Sequence, residues 1–452
     1  MVSQEEKYIQ MTQKPIGKTI SRLAIPCIIS MLVTSFYNMA DTFFVGMLKS
    51  NAATGAVGVV FSMMAIIQAV GLFFGQGSGN YISRALGKKQ YDEASTMAAT
   101  GFFSALGAGV VICIVGQIFL EKLAFLLGST ETILPYTKAY LRVILLGAPW
   151  MTASIVLNNQ LRFQGSAMYS MIGICAGAVL NIALDPLLIF VFRLGVAGAG
   201  WATIISQFVS FTLLYIGCGK GGNIRLSIKN VKINGFYLRN IVKGGLPSLA
   251  RQFLASFASI SLNHAARPYG DAVIAAMGVV QRIMAFGASA MMGFAQGFQP
   301  FCGFNYGAGL YRRVKKGFWF CVKVSVVFLL VVGGIVFAFA PQVVSLFRDD
   351  PEVIRIGTTA LRFQCALFPT LSWIAMSTLM EQVIGRTAAS TFLSVARQGM
   401  FFIPAVLILS ATLGVLGIQM SQAVADLLTL ACAIPVHIQV MRSLPKEDRL
   451  KV

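Results

Sequence analysis

The chain has 452 residues, 56% of them hydrophobic and only 12% charged, and its 36 Lys and Arg against 16 Asp and Glu leave a net charge of +20. A soluble domain carries about 25% charged residues, so this composition excludes an ordinary soluble enzyme and points to lipid as the solvent. The basic surplus could suggest a nucleic-acid partner, but it lies in the connections between apolar runs and reads as membrane topology.

Charge-free runs at 50–83, 94–120, 163–184, 194–219, 283–311 and 324–347 are each long enough to cross a ~30 Å hydrocarbon core as helix. None shows the polar–apolar alternation over roughly 10 residues of a barrel strand. In chain order, spanning helices are predicted near 18–44, 53–75, 94–118, 135–158, 168–192, 196–217, 240–264, 273–297, 317–341, 359–383, 393–413 and 417–440. Ahead of the first lies a polar stretch, Ser3-Gln4-Glu5-Glu6-Lys7, with no cleaved signal peptide in view. Lys and Arg concentrate in alternate connections, which places both termini in the cytoplasm of a multi-pass protein of the cell membrane.

The second half restates the first. Ala56-Val57-Gly58-Val59-Val60 returns as Ala276-Met277-Gly278-Val279-Val280, Leu141-Arg142 and Pro149 return as Leu361-Arg362 and Pro369, and Gly195-Val196-Ala197-Gly198 returns as Gly414-Val415-Leu416-Gly417. The predicted fold is therefore an all-α integral membrane protein, with twelve transmembrane helices in two pseudo-symmetric six-helix bundles. Residues 1–219 form one lobe, 220–238 a cytoplasmic linker rich in Gly, Lys and Asn, and 239–452 the other lobe. Six spans per copy give both copies the same orientation, and transporters with such repeats bind substrate near the membrane midplane.

Several chemistries find no support. Eight cysteines are scattered without a CxxC pair, so no metal site or disulfide framework is indicated. Gly75-Gln76-Gly77-Ser78-Gly79 follows an apolar helix rather than a strand, which argues against a nucleotide loop and against ATP as the direct energy source. An integral-membrane enzyme would need clustered His or Cys, or carboxylate-rich loops on one surface. The 44 glycines read as close helix packing.

Carboxylates inside spans are few, and each costs about 2.5–3.5 kcal/mol at mid-membrane, so they are functional candidates by default. They are Asp41, Asp185, Glu381 and Asp426. Asp41 comes late in the first span and Asp185 late in the fifth, which puts both in the outer half of one lobe. Asn181 shares a helix face with Asp185, four residues away, and Thr203 in the sixth span lies at similar depth. Pro186 frees the carbonyl of Ile182, and Pro26 frees that of Arg22, giving the first span a place to bend. Without a basic partner, both aspartates cannot readily be ionised together, so a proton or cation can come and go. The repeat supports this: Asp41 aligns with Leu262, and Asp185 with Ile403 or Ala405, so the scaffold folds without these acids. Glu381 is expected to reach water, Asp426 has Arg251 and Arg282 as conceivable partners, and His264 and His437 fall near helix ends. Among the 20 methionines, Met63 and Met284 are candidates to line a cavity for apolar cations.

On these residues, on Tyr37 to Gly46, on Asn181 to Pro186 and on Gly200-Trp201-Ala202-Thr203, the chain resembles the multidrug and toxic compound extrusion (MATE) family of cation-coupled antiporters over essentially its whole length. The resemblance implies that Asp41, Asn181, Asp185 and Thr203 form a cation or proton site, with H⁺ or a transient Na⁺ as coupling ion and no cofactor or resident metal. It implies that Tyr37, Asn158 and Asn159 line a drug cavity. Ala255 and Leu371 stand where some members carry acids on the seventh and tenth helices, so coupling through a second-lobe carboxylate is not implied. The expected activity is proton- or sodium-coupled efflux of lipophilic, often cationic drugs by alternating access, from a monomer whose partners are small molecules and membrane lipid, not nucleic acid. The alternative is a lipid-linked oligosaccharide flippase of the same superfamily.

Overall fold

The computed structural model describes residues 4–48 and 50–448, and it is built almost wholly of helices. In chain order these are α1 (Gln4–Thr12), α2 (Ile16–Gly46), α3 (Asn51–Gly87), α4 (Tyr91–Ile118), α5 (Leu120–Leu126), α6 (Leu134–Phe163), α7 (Ala167–Pro186) and α8 (Val196–Cys218). The second half follows with α9 (Gly235–Ala266), α10 (Asp271–Gly307), α11 (Tyr311–Ala338), α12 (Ala340–Ser345), α13 (Pro351–Leu367), α14 (Thr370–Ile384), α15 (Thr387–Val395), α16 (Ile403–Leu413) and α17 (Val415–Ser443). Among the described residues ten helices are long and apolar enough to cross a membrane, and α13 with α14 makes an eleventh bent by 56°. α9, whose 32 residues include Lys243, Arg251, Gln252 and Asn263, falls short of that apolarity and stands where the seventh of the twelve expected spans is placed.

Two compact units divide the chain: Met1–Gln13 with Ile25–Gly245, and Lys14–Ala24 with Leu246–Val452. In the first, α6 is the central post. Its most apolar stretch is 72% buried, against 28% for that of α3. Tyr140, Leu141, Ile144 and Leu145 pack there with Val60, Met63 and Ile67. Gly109 of α4 brings that helix onto α6 so closely that an added Cβ would stand 2.7 Å from the Pro149 Cα. In the second unit the core gathers Val280, Ala360, Leu361, Val406 and Ile418. Outward faces are apolar as well, with Val111, Ile114 and Ile118 exposed on α4 and Val327, Leu330 and Val331 on α11. An exposed apolar face in a packed helix is the signature of a lipid solvent.

Local geometry repeats with the sequence. Gly195 and Gly414 cap α8 and α17 with nearly the same backbone angles, φ 56° and ψ −135° against φ 62° and ψ −135°. Only glycine adopts that region without strain. Phe119 and Phe339 break α4 from α5 and α11 from α12 in the same way, at φ −103° and −100°.

Two expectations are corrected, and two stretches are defined more closely. The span predicted to end at 75 continues to Gly87, because Gly77 lets the Ile241 backbone of α9 approach and the Ser78 hydroxyl donates to the Phe74 carbonyl at 2.7 Å. The span predicted at 359–383 is broken at Phe368-Pro369, whereas the matching Pro149 stays inside an unbroken α6. The polar N-terminal stretch forms α1, held by Lys7, which donates to Ser166 Oγ at 2.7 Å and to Asn223 Oδ1. Along the stretch from 220 to 238 the Ile224 amide donates to Gln164 Oε1 at 2.7 Å and the Lys232 amide to Thr100 Oγ1 at 3.1 Å.

Candidate functional site

The site of interest lies in the first unit, where α2, α6, α7 and α8 meet. Asp185, Asn181 and Thr203 are fully buried. With the Asn181 amide oriented by its neighbours, its nitrogen donates to Asp185 Oδ2 at 3.2 Å and its oxygen accepts from the Thr203 amide at 3.3 Å. The Thr203 hydroxyl donates to the Ala199 carbonyl at 3.0 Å. Asp41 interacts electrostatically with Asp185, and Tyr37 lies within range of both carboxylates, with Gln207 of α8 within hydrogen-bonding reach of its hydroxyl.

Satisfaction is incomplete. Asp41 Oδ1 and Asp185 Oδ1 are buried without a hydrogen-bond partner. Neither carboxylate is in an ion pair among the described residues. The Tyr140 hydroxyl of α6 is also buried and unpartnered; it faces Thr203 and lies in the field of Asp41 and Asp185. An unpaired buried acceptor forfeits its hydration with nothing in return. The oxygens therefore form a set that a proton or a small hard cation would complete, since carboxylate, amide, hydroxyl and carbonyl oxygens suit such ions.

The supporting elements explain how the set can change. Past Pro186 the chain passes into a π-helical turn, Leu187–Val191, rather than regular helix. Along α2, Ser30 donates to the Pro26 carbonyl at 2.8 Å, Thr34 to the Ser30 carbonyl at 2.8 Å, and Ser35 to the Met31 carbonyl at 3.0 Å. Hydroxyls bonded back onto helix carbonyls, next to a proline that lacks its own donor, make a helix prone to bend. Pro26 and Asp41 thus share one helix.

The other expected site residues sit apart from this set. Asn158 accepts from Ser170 Oγ at 3.0 Å. Asn159 is buried in a network with Gln76 at 3.0 Å and Arg162 at 2.7 Å. Met63 is buried in the apolar core, and Met284 lines a cavity in the second unit. Two further readings are corrected. Glu381 does not reach water: it is fully buried, 3.3 Å from the ring of His437, which is itself buried and stacks on Phe318 at 4.1 Å. Asp426 pairs with neither Arg251 nor Arg282 but with Arg397, at 2.8 Å. Arg397 was overlooked because it falls near the start of its predicted span. Tyr140 was overlooked too, yet it aligns with Ala360 in the repeat, the same asymmetry that singled out Asp41.

Comparison with known proteins agrees with this architecture. The MatE family model matches residues 26–187 and again 247–436. Multidrug export protein MepA of Staphylococcus aureus (strain NCTC 8325 / PS 47) is 29% identical over 438 residues, covering 96% of each chain. MepA of Staphylococcus saprophyticus is 28% identical over 450 residues, covering 99% of this chain and 98% of its own. Among solved structures, an outward-facing multidrug resistance MATE family transporter of the MOP superfamily superposes with a TM-score of 0.91 at 26% identity, covering 97% of this chain and 99% of that one. A MOP superfamily transporter from Pyrococcus furiosus, whose pocket of reverse polarity suggests a different function for it, superposes at 0.90 with 25% identity over 97% and 99%. With both repeats matched by the family model and the helical architecture shared with its solved members, this chain belongs to the MatE family of membrane transporters.

Proposed function

We propose that this chain exports lipophilic, often cationic drugs from the cell by exchange for a proton or a sodium ion, as a multi-pass protein of the plasma membrane with both termini in the cytoplasm. The observation that carries the reading is the pair Asp41 and Asp185, each with a buried oxygen that has no hydrogen-bond partner and neither in an ion pair among the described residues. Asn181 and Thr203 complete the set, and the Ile182 carbonyl freed by Pro186 is a further oxygen beside it. Kinship with multidrug export proteins of two staphylococci supports the substrate class.

The coupling follows from charge. Taking up a cation between the two carboxylates removes their repulsion and satisfies their free oxygens. α2 then packs differently about Asp41 and bends at Pro26, which lowers the affinity for drug. Drug and cation compete, and competition makes the exchange obligatory under alternating access. Tyr37, Asn158, Asn159, Met63 and Met284 are the proposed drug contacts, of which Tyr37 stands within range of both carboxylates. A lone carboxylate pair without a lysine or arginine is what the lipid-flippase alternative, which needs a cationic cavity, would lack.

Ethidium efflux from everted vesicles, with proton and sodium gradients imposed separately, tests the reading. Gradient-driven efflux in the wild type and its loss in D185N are expected, and the effective gradient names the ion. Normal efflux by D185N at wild-type expression would overturn the coupling role. No ethidium movement under either gradient, with folded protein present, would turn the assignment toward the flippase.

A further inference from the structure

The second unit contains a cavity of about 260 Å³, just under the roughly 300–1,000 Å³ of sites for drug-sized ligands and so suited to a smaller molecule. The repeat gives it a meaning. At the offset that carries Gly195 to Gly414, Thr203 becomes Gln422 and Gln207 becomes Asp426. At the offset that carries Pro26 to Pro247, Tyr37 becomes Ala258 and Asp41 becomes Leu262. All four counterparts line this cavity. It is the second unit's version of the carboxylate site, with different chemistry installed.

That chemistry is a matched pair of opposite charges. Arg397 grips Asp426 with two hydrogen bonds, Nε to Oδ1 at 2.8 Å and Nη2 to Oδ2 at 3.3 Å, and Gln422 adds a third at 2.9 Å. Arg397 is presented by a π-helical stretch, Ala396–Phe402, which also places Gln398 and Phe402 on the wall. Such π segments are frequent at functional sites. Three more amides line the cavity, Gln281, Gln364 and Gln398, and none makes a side-chain hydrogen bond among the described residues. Gln364 is 8% exposed, so its hydrogen-bonding groups have little but the cavity to serve. Met277, Met284 and Phe368 provide a soft apolar surface.

We propose that this cavity binds a small zwitterionic amphiphile, its carboxylate accepting from Arg397 and its ammonium donating to Asp426. A lone cation would have to displace the guanidinium from Asp426, and a lone anion would have to displace the carboxylate from Arg397. A ligand carrying both charges docks beside the pair without altering the net charge of the site, and its apolar body fills the methionine and phenylalanine walls. The proposal extends the export reading by naming a second substrate class and a second subsite in the same chain.

The test uses the purified full chain in detergent with no ion gradient, so it can fail while the vesicle assay succeeds, or the reverse. Binding of tryptophan, tryptophan methyl ester and N-acetyltryptophan, which share one body as zwitterion, cation and anion, is measured by calorimetry. The zwitterion should bind at least about tenfold tighter than either analogue, since each analogue loses one charge-assisted pair. In the double variant R397M/D426L, which leaves no charge stranded, that preference should vanish with the melting temperature retained. Filling the cavity by Ala288→Phe should abolish binding of all three. Equal affinities in the wild type, no binding of any probe, a preference surviving R397M/D426L, or binding surviving Ala288→Phe would each overturn the proposal.

Discussion

The two units answer the same problem, carboxylates within the span of a membrane protein, in opposite ways. In the second, Asp426 has a resident base, Arg397 at 2.8 Å, while Glu381 has one oxygen 3.3 Å from the ring of His437 and its Oε2 without a partner among the described residues. In the first, Asp41 and Asp185 have only each other, an amide and nearby hydroxyls. A permanent partner makes a charge structural, because nothing has to arrive or leave for it to be compensated. A charge with no resident partner needs an exchangeable one. Since both units derive from one scaffold, the difference lies in a handful of side chains and not in the fold.

The largest expected effect breaks the first unit's side of the comparison. D185N and D41N should each reduce gradient-driven ethidium efflux by at least about tenfold, because each removes an uncompensated carboxylate on which cation uptake depends. Folding should not suffer, since removing one of two unpaired acids relieves repulsion. Vesicle transport alongside thermal melting separates the two outcomes, and a D185N protein that transports poorly only because it melts early would count against the coupling role.

The second unit should respond the other way round. Arg397→Ala strands Asp426, which is largely buried, and should cost about 3 kcal/mol of stability, visible as a lowered melting temperature. The double variant R397M/D426L should recover most of it. A smaller effect separates Tyr140 from its repeat counterpart Ala360: Y140F removes one buried hydroxyl beside the carboxylates and should weaken coupling-ion affinity by about tenfold or less. The concentration of ion that drives half-maximal efflux reports it, and an unchanged value would place Tyr140 outside the site.

Much of this contrast was legible in the sequence. Asp41 and Asp185 stand out because the duplicated half lacks them, Asn181 because it shares a helix face with Asp185, Thr203 because it lies at similar depth, and spans announce themselves through hydropathy and glycine caps. Partner identity was not legible. Nothing in the spacing of Arg397 and Asp426 shows that a π-helical turn aims one at the other. Nor does it show that Phe318 stacks over His437 and seals Glu381 from water. Proline was equally silent: Pro149 sits in a continuous helix while its repeat, Pro369, marks a 56° break. Neighbouring packing decides whether a lost amide bends a helix, and packing is a property of the whole bundle.

Lys7 sharpens the comparison from a different side, because it shows what a buried charge looks like when it is structural. It is 8% exposed and pairs with no acid among the described residues, yet it is held by Ser166 Oγ at 2.7 Å and by Asn223 Oδ1. Burial lowers its pKa from the ordinary 10.5 to about 8. A lysine whose docked pKa lies below its free value holds fewer protons when docked, so docking of α1 should tighten as pH rises from about 8 toward about 10.5. Below pH 8 the full desolvation cost is present. Hydrogen exchange of the α1 amides, corrected for intrinsic rates, should show protection rising across that window in the wild type and flat in K7M, while ethidium efflux by K7M stays near wild type. Protection that falls between those pH values would mean that Lys7 is stabilised as a cation in its pocket.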